Sequence, residues 1–339
     1  MVSQKSTIKP TIDLDAVGAH HGYLKLPMSV TRSAYGWVPI PIVSVKNGEG
    51  PTVLLVGGNH GDEYEGQVAL MDFIRTVRVE DVKGQVIVLS AANYPAVMAA
   101  ARVSPLDDGN LNREFPGRAD GSPTQMIAHY ISSELAPRLD YSLDIHSGGA
   151  SLNYIPTVLT LRPEDPVERA KVRQLVEALA LPFTTVFRGS GVSGGRTLAS
   201  VVRGHGAIPL AAEMGGAATL TPRTVALAKG ALRRYLRATG VWTGQAPSAD
   251  QPTTFVAAGP EDYVYTLEAG VFEPACGLGD RVNEGQLAGV VHDPKTPWRP
   301  PVEIHFGRAG AIVCERPLSF CEPGDCLFQT CQPWPQALD

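Results

Sequence analysis

Three times in this chain a short apolar run delivers an ionisable side chain into a stretch of glycines. Residues 52–56 lead into Gly57-Gly58-Asn59-His60-Gly61-Asp62-Glu63-Tyr64-Glu65-Gly66, residues 141–145 into His146-Ser147-Gly148-Gly149, and residues 207–212 into Glu213-Met214-Gly215-Gly216. Aliphatic runs of that length read as buried strands, and glycine lets the backbone that follows take the positive φ of a tight turn. Open α/β sheets carry their chemistry at the carboxyl ends of strands. If the first two runs are neighbouring parallel strands, His60, Glu63 and His146 emerge on one sheet edge. A histidine after a strand is more often a hydrogen-bonded structural residue. Two imidazoles and a carboxylate, with a fourth position left to water, are the ligand set of catalytic zinc, although other divalent metals accept the same donors.

The rest of the chain fits this frame. Val68, Met71, Ile74 and Val77 recur at helical spacing over residues 65–77, and residues 86–89 form the next strand, so 52–89 reads as a βαβ unit in a parallel sheet. Residues 21–26 and 38–45 suggest a hairpin at a sheet edge, where their prolines are tolerated. Residues 91–121 have little periodicity and read as a working loop. That loop carries Arg102, Asn112 and Arg113, three groups able to hold a carboxylate or polarise a carbonyl. Ser122 and Pro123 start a helix that leaves His129 on the surface. Residues 154–160 and 183–188 look extended and 164–180 helical. The Gly/Ser-rich stretch 189–195 lacks the Gly-Lys-Ser/Thr ending of a phosphate loop. A helix capped at Thr221 stops at Gly240.

The expected fold is α/β: a mixed, mostly parallel sheet flanked by helices, over residues 1–245. A Pro/Ser/Ala/Thr-rich linker follows over 246–254, and short β segments over 255–339 suggest a smaller all-β domain. A net charge of −5 without a dense basic block argues against nucleic-acid and anionic-membrane partners. The polar start and the absence of a long apolar run lead to an expected cytoplasmic location. Five cysteines, Cys276, Cys314, Cys321, Cys326 and Cys331, form no Cys-x-x-Cys pair and suit reduced thiols.

Four of these segments carry a family resemblance. Gly58-Asn59-His60-Gly61-Asp62-Glu63, Asn112-Arg113-x-Phe115-Pro116-Gly117, Asp144-Ile145-His146-Ser147-Gly148-Gly149 and Glu213-Met214-Gly215-Gly216 resemble, in that order, the motifs of the succinylglutamate desuccinylase/aspartoacylase family, within the zinc carboxypeptidase-like group. The run from Asn47 to Gly66 is most similar to the branch that deacetylates Nα-acetyl-2,4-diaminobutyrate in ectoine breakdown, whereas residues 152–156 depart from its pattern. The resemblance implies one Zn2+ per chain on His60, Glu63 and His146, and Glu213 as general base. It also implies that Asn112 and Arg113 bind the substrate carboxylate and that Arg102 acts on the scissile carbonyl. The implied enzyme is a zinc-dependent hydrolase that removes the acyl group, acetyl first, from an Nα-acyl amino acid, with Nα-acetyl-2,4-diaminobutyrate as a candidate substrate.

Two other readings stay open. A zinc carboxypeptidase needs the same metal, base and carboxylate clamp. A non-catalytic biotinyl- or lipoyl-like carrier needs a modifiable lysine at a hairpin tip, for which the β region offers Lys295. The acyl group, the amino acid and the number of subunits, a homo-oligomer included, are not fixed by the sequence.

Overall fold

The computed structural model describes residues 5–187, 195–249 and 251–339; the Gly/Ser-rich stretch therefore lies, but for Gly195, outside the described residues. A long hairpin, β1 (Gly18–Val30) and β2 (Ser33–Asn47), leads into β3 (Thr52–Gly57), α1 (Tyr64–Thr76) and β4 (Gly84–Leu89). After the loop region come α2 (Pro123–Tyr130), β5 (Tyr141–His146), β6 (Thr157–Leu161), α3 (Pro166–Leu179) and β7 (Phe183–Phe187). The helices α4 (Leu198–Gly204) and α5 (Pro222–Thr239) flank β8 (Ile208–Glu213).

β3 lies between β4 and β5, parallel to both, and β8 continues the sheet parallel to β5. The hairpin enters antiparallel through β2, and β6 turns antiparallel against β8. The result is the expected mixed sheet flanked by helices, with the His60 and His146 strands side by side. Its central strands are buried on both faces, as strands covered by helices must be: β4 is buried along its whole length. One apolar core packs α1, α3 and α5 on one face, and a second lies on the other beneath the hairpin and α2.

The loop region is more ordered than its sequence suggests. It holds short helical turns at Tyr94–Met98 and Leu111–Glu114, too short to generate periodicity. His129 is half-buried rather than on the surface, with its Nδ1 shielded from solvent, and it lies outside the metal-ligand cluster.

Beyond α5, β9 (Thr254–Ala257) pairs in parallel with β7. Thr254, read as the end of a linker, is thus already strand. β10 (Tyr263–Tyr265), β11 (Gly270–Pro274), β12 (Leu287–His292), β13 (Val302–His305), β14 (Gly310–Glu315), β15 (Phe320–Cys321) and β16 (Cys326–Pro333) complete the chain. β11, β12, β13 and β15 form a separate antiparallel sheet over a third core of Phe272, Phe306 and Phe328. β16 bridges back to β9. All five cysteines are free. Lys295 is exposed in the connection between the antiparallel strands β12 and β13.

One glycine sets the distance between helix and sheet. A Cβ on Gly66 would collide with the carbonyl oxygen and side chain of Ile145, so only glycine lets the first turn of α1 lie against β5. Gly66→Ala is expected to destabilise the fold by about 1–3 kcal/mol through overpacking, read from the midpoint of urea unfolding.

Candidate metal and catalytic site

Glu63 occupies the cap position of α1, yet its carboxylate caps nothing. A side chain there usually accepts a hydrogen bond from the first helical N–H groups. Glu63 instead points across the sheet edge, with Oε1 2.6 Å from Nδ1 of His60 and Oε2 2.7 Å from Nδ1 of His146. A local rule given up at a buried position is a mark of function. The ligand atoms of the three residues all lie within 4.8 Å of one another, and all three residues are buried.

Adjacent strands and glycine turns bring them together. Gly61 N donates to Ala101 O at 2.8 Å, tying the turn after β3 to the segment that bears Arg102. Asp62 accepts from Ala150 N at 2.8 Å, and Met214 N donates to His146 O at 2.9 Å. The three glycine-rich turns are therefore fastened to one another.

The orientation of the rings provides a test of metal binding. Nε2 of His146 lies 2.9 Å from Oδ2 of Asp144, which also accepts from Asn59 at 2.9 Å, and Nε2 of His60 lies 3.1 Å from Oδ1 of Asn110. An acceptor opposite each Nε2 places the proton there. Both Nδ1 lone pairs then face the acceptor oxygens of Glu63, an arrangement stable only if a cation or a proton lies among them. Imidazoles held from behind, His146 by a carboxylate and His60 by an amide oxygen, around a third carboxylate ligand are what a bound dication requires, so the residues fit one.

The charge states carry the same signature. Burial disfavours ionised Glu63, but His146 and His60 outweigh it and hold the carboxyl well below its ordinary range. Burial also favours neutral His146, but Asp144 and Glu63 overcome it and raise its pKa well above that of a free imidazole. His60 is lowered by burial, with the charges of His146 and Arg102 adding to it.

A cavity of about 300 Å3, at the small end for a ligand site, opens over the cluster. It is lined by His60 and His146 together with Arg102, Asn112, Arg113 and Glu213. Every site residue expected from the sequence therefore meets in or beneath one pocket. Nη1 of Arg102 lies 3.3 Å from both Oε1 of Glu63 and Nδ1 of His60. Asn112 accepts from Leu198 N at 3.1 Å, which fixes its amide beside the ring of His146. Arg113 has no carboxylate partner among the described residues; Arg102 and Arg196 face it instead, and burial followed by these charges lowers its pKa. Glu213 stands opposite His146 in the strand register, and one of its oxygens is buried without a hydrogen-bond partner among the described residues. Burial and the Glu63 charge push its carboxyl up to about 8.

Sequence reasoning missed Asp144, Asn59, Asn110 and Tyr263. Asp144 had a signal: it stands two residues before His146, on the same face of a strand. Tyr263 had none, since it reaches the pocket from the C-terminal β region.

The chain has relatives of known family and structure. Residues 49–239 match the model of the succinylglutamate desuccinylase/aspartoacylase catalytic domain. An N-alpha-acetyl-L-2,4-diaminobutyric acid deacetylase from Halomonas elongata is 38% identical over 323 residues, 95% of this chain and 94% of that protein. The crystal structure of a succinylglutamate desuccinylase from a Silicibacter species superposes with a TM-score of 0.92 at 38% identity, covering 98% of this chain and 100% of the other. The product-bound ectoine utilization protein EutE (DoeB) from Ruegeria pomeroyi superposes with a TM-score of 0.91 at 37% identity, covering 97% and 99%.

Proposed function

The chain belongs to the succinylglutamate desuccinylase/aspartoacylase family, and from that premise we propose that it hydrolyses the amide bond of an Nα-acyl amino acid, releasing the acyl group, acetyl first. His60, Glu63 and His146 hold the metal, Zn2+ by their donor set. A dication bound there supplies Lewis acidity and makes a water acidic enough to ionise near neutral pH.

The chain's own residues do the rest. Glu213 takes a proton from the attacking water and returns it to the departing amine; burial and the Glu63 charge, which raise its carboxyl, make it a stronger base than an ordinary carboxylate. Arg102 directs its guanidinium to the charge that develops on the carbonyl oxygen. Arg113, with Asn112 beside it, pairs with the α-carboxylate of the substrate. Asp144 keeps the Nε2 proton on His146, so that Nδ1 faces inward. The observation that carries this reading is a buried His-Glu-His cluster sharing one small pocket with Arg113, which has no carboxylate partner among the described residues, and with Glu213, one of whose oxygens is buried without a hydrogen-bond partner among them.

The test is a panel of Nα-acetyl, succinyl and longer-chain acyl amino acids, with a blocked dipeptide included. Release of free amine from the acyl amino acids supports the reading; cleavage of the dipeptide alone makes the enzyme a carboxypeptidase. Removing one partner of a desolvated charge pair costs about 2–5 kcal/mol. Arg113→Ala is therefore expected to raise KM by about 30- to 5000-fold with a smaller change in kcat, measured by steady-state kinetics.

A further inference from the structure

Alternation along the strands shapes the floor of the pocket. Residues two apart share a face, so Pro209, Ala211 and Glu213 of β8 line the pocket together, beside Asp144 and His146 of β5. In the register Ala211 lies opposite Leu159, and Leu161 lies opposite Phe187. From His146 and Glu213 at the strand ends, the floor runs back over Ala211 and Leu159 to Pro209, Leu161 and Phe187. Four residues of strand from Glu213 to Pro209 span about 13 Å. The pocket has a polar mouth at the cluster and, leading away from it, an aliphatic strip of Ala211, Leu159 and Leu161, with the uncharged hydroxyls of Thr160, Thr197 and Ser200 also in the lining.

The carboxylates in and beneath this pocket are committed. Glu63 serves the two imidazoles, Asp144 bonds His146 and Asn59, and Glu213 carries the proton. Arg203, at the edge of the strip, is neutralised by Glu168 at 2.8 Å. No other carboxylate lines the pocket among the described residues, and the sequence between Phe187 and Arg196 contains no acid. A cationic side chain would lie near Arg102 and Arg113 without a free anion; an anionic one would lie on aliphatic carbon.

Phe187 closes the strip and also lines a neighbouring cavity of about 440 Å3 that includes Pro260, Asp262 and Trp334. Asp262 faces that cavity while Tyr263, the next residue, faces the catalytic pocket. Phe187 and this backbone are therefore the partition between the two.

Building on the deacylase reading, we infer that the enzyme selects Nα-acyl amino acids with an uncharged aliphatic side chain, seated on Ala211, Leu159 and Leu161, and that Phe187 sets its maximum length. The Halomonas relative, named for N-alpha-acetyl-L-2,4-diaminobutyric acid, does not fix this property, because a diaminobutyrate side chain is cationic.

The experiment compares kcat/KM for Nα-acetyl derivatives of norvaline, norleucine, 2-aminooctanoate, aspartate and 2,4-diaminobutyrate. Norvaline or norleucine is expected to exceed both charged derivatives by at least about tenfold, the scale on which pockets distinguish one or two methylenes. In Phe187→Ala the ratio of 2-aminooctanoate to norvaline is expected to rise at least about tenfold; Phe187→Leu gives a smaller rise and serves if the alanine variant does not fold. Preference for either charged derivative, or an unchanged length ratio in a folded variant, overturns the inference. Calorimetric titration of the free amino acids into Glu213→Gln reads the pocket without turnover. If no acyl amino acid is hydrolysed but norleucine binds more tightly than 2,4-diaminobutyrate, the deacylase reading fails and the pocket assignment stands; if 2,4-diaminobutyrate binds more tightly, the pocket assignment fails.

Discussion

Replacing Glu213 by glutamine is expected to lower kcat by about 10²- to 10⁴-fold while leaving metal content unchanged. The side chain keeps its volume, and the backbone bond from Met214 N to His146 O is untouched, so the ligand cluster keeps its support. What is lost is the proton carrier. The glutamine amide can neither accept the proton of water nor return one to the leaving amine. Burial beside Glu63 raises the Glu213 carboxyl to about 8; a carboxylate of ordinary acidity would be a weaker base toward the attacking water. Kinetics alone would not separate this role from a collapsed site, so metal analysis and the melting temperature accompany the rate. A Gln variant that turns over normally would take Glu213 out of the chemistry.

Much of this site was legible because the folding rules and the chemistry use the same residues. The aliphatic runs that must be buried strands end on His60, Glu63, His146 and Glu213, and the glycines after them announce turns that only glycine makes cheaply: Gly58, Gly149 and Gly215 all have positive φ. Strand adjacency was the one unproven step, and the β4, β3, β5 order supplies it. The short helices near Arg102 and Arg113 left no periodic trace because each is about one turn long. Asn110 and Asn59 act through contacts 50 and 85 residues away, a distance no local pattern reports. The C-terminal region was read as short strands and turns, but sequence alone gave no indication that β9 and β16 would extend the main sheet, or that Tyr263 would line the catalytic pocket.

Removing the divalent ion with a chelator is expected to reduce hydrolysis to background, with one equivalent of Zn2+ per chain restoring it. The imidazole geometry predicts how that affinity depends on pH. Asp144 and Asn110 hold the Nε2 positions, so the two Nδ1, both facing Glu63, would be the donor atoms. In the metal-free protein, His146 is raised well above an ordinary imidazole by Asp144 and Glu63, against the opposing effect of burial. A proton therefore occupies its inner face at neutral pH, and metal uptake must displace it. Below the His146 pKa each binding event releases about one proton, so the apparent Zn2+ affinity falls about tenfold per unit of decreasing pH; above it, that dependence disappears. Calorimetry in two buffers of different ionisation enthalpy counts the proton directly. The same binding stabilises the fold by about 2.7 kcal/mol at a free metal concentration one hundred times Kd, so the melting temperature should rise with added metal. His146→Ala should abolish both the proton release and the metal-dependent rise in melting temperature. Affinity that stays constant from about pH 6 to 8 would mean that Nδ1 of His146 does not bind the ion, and the hydrolase reading would lose its central contact.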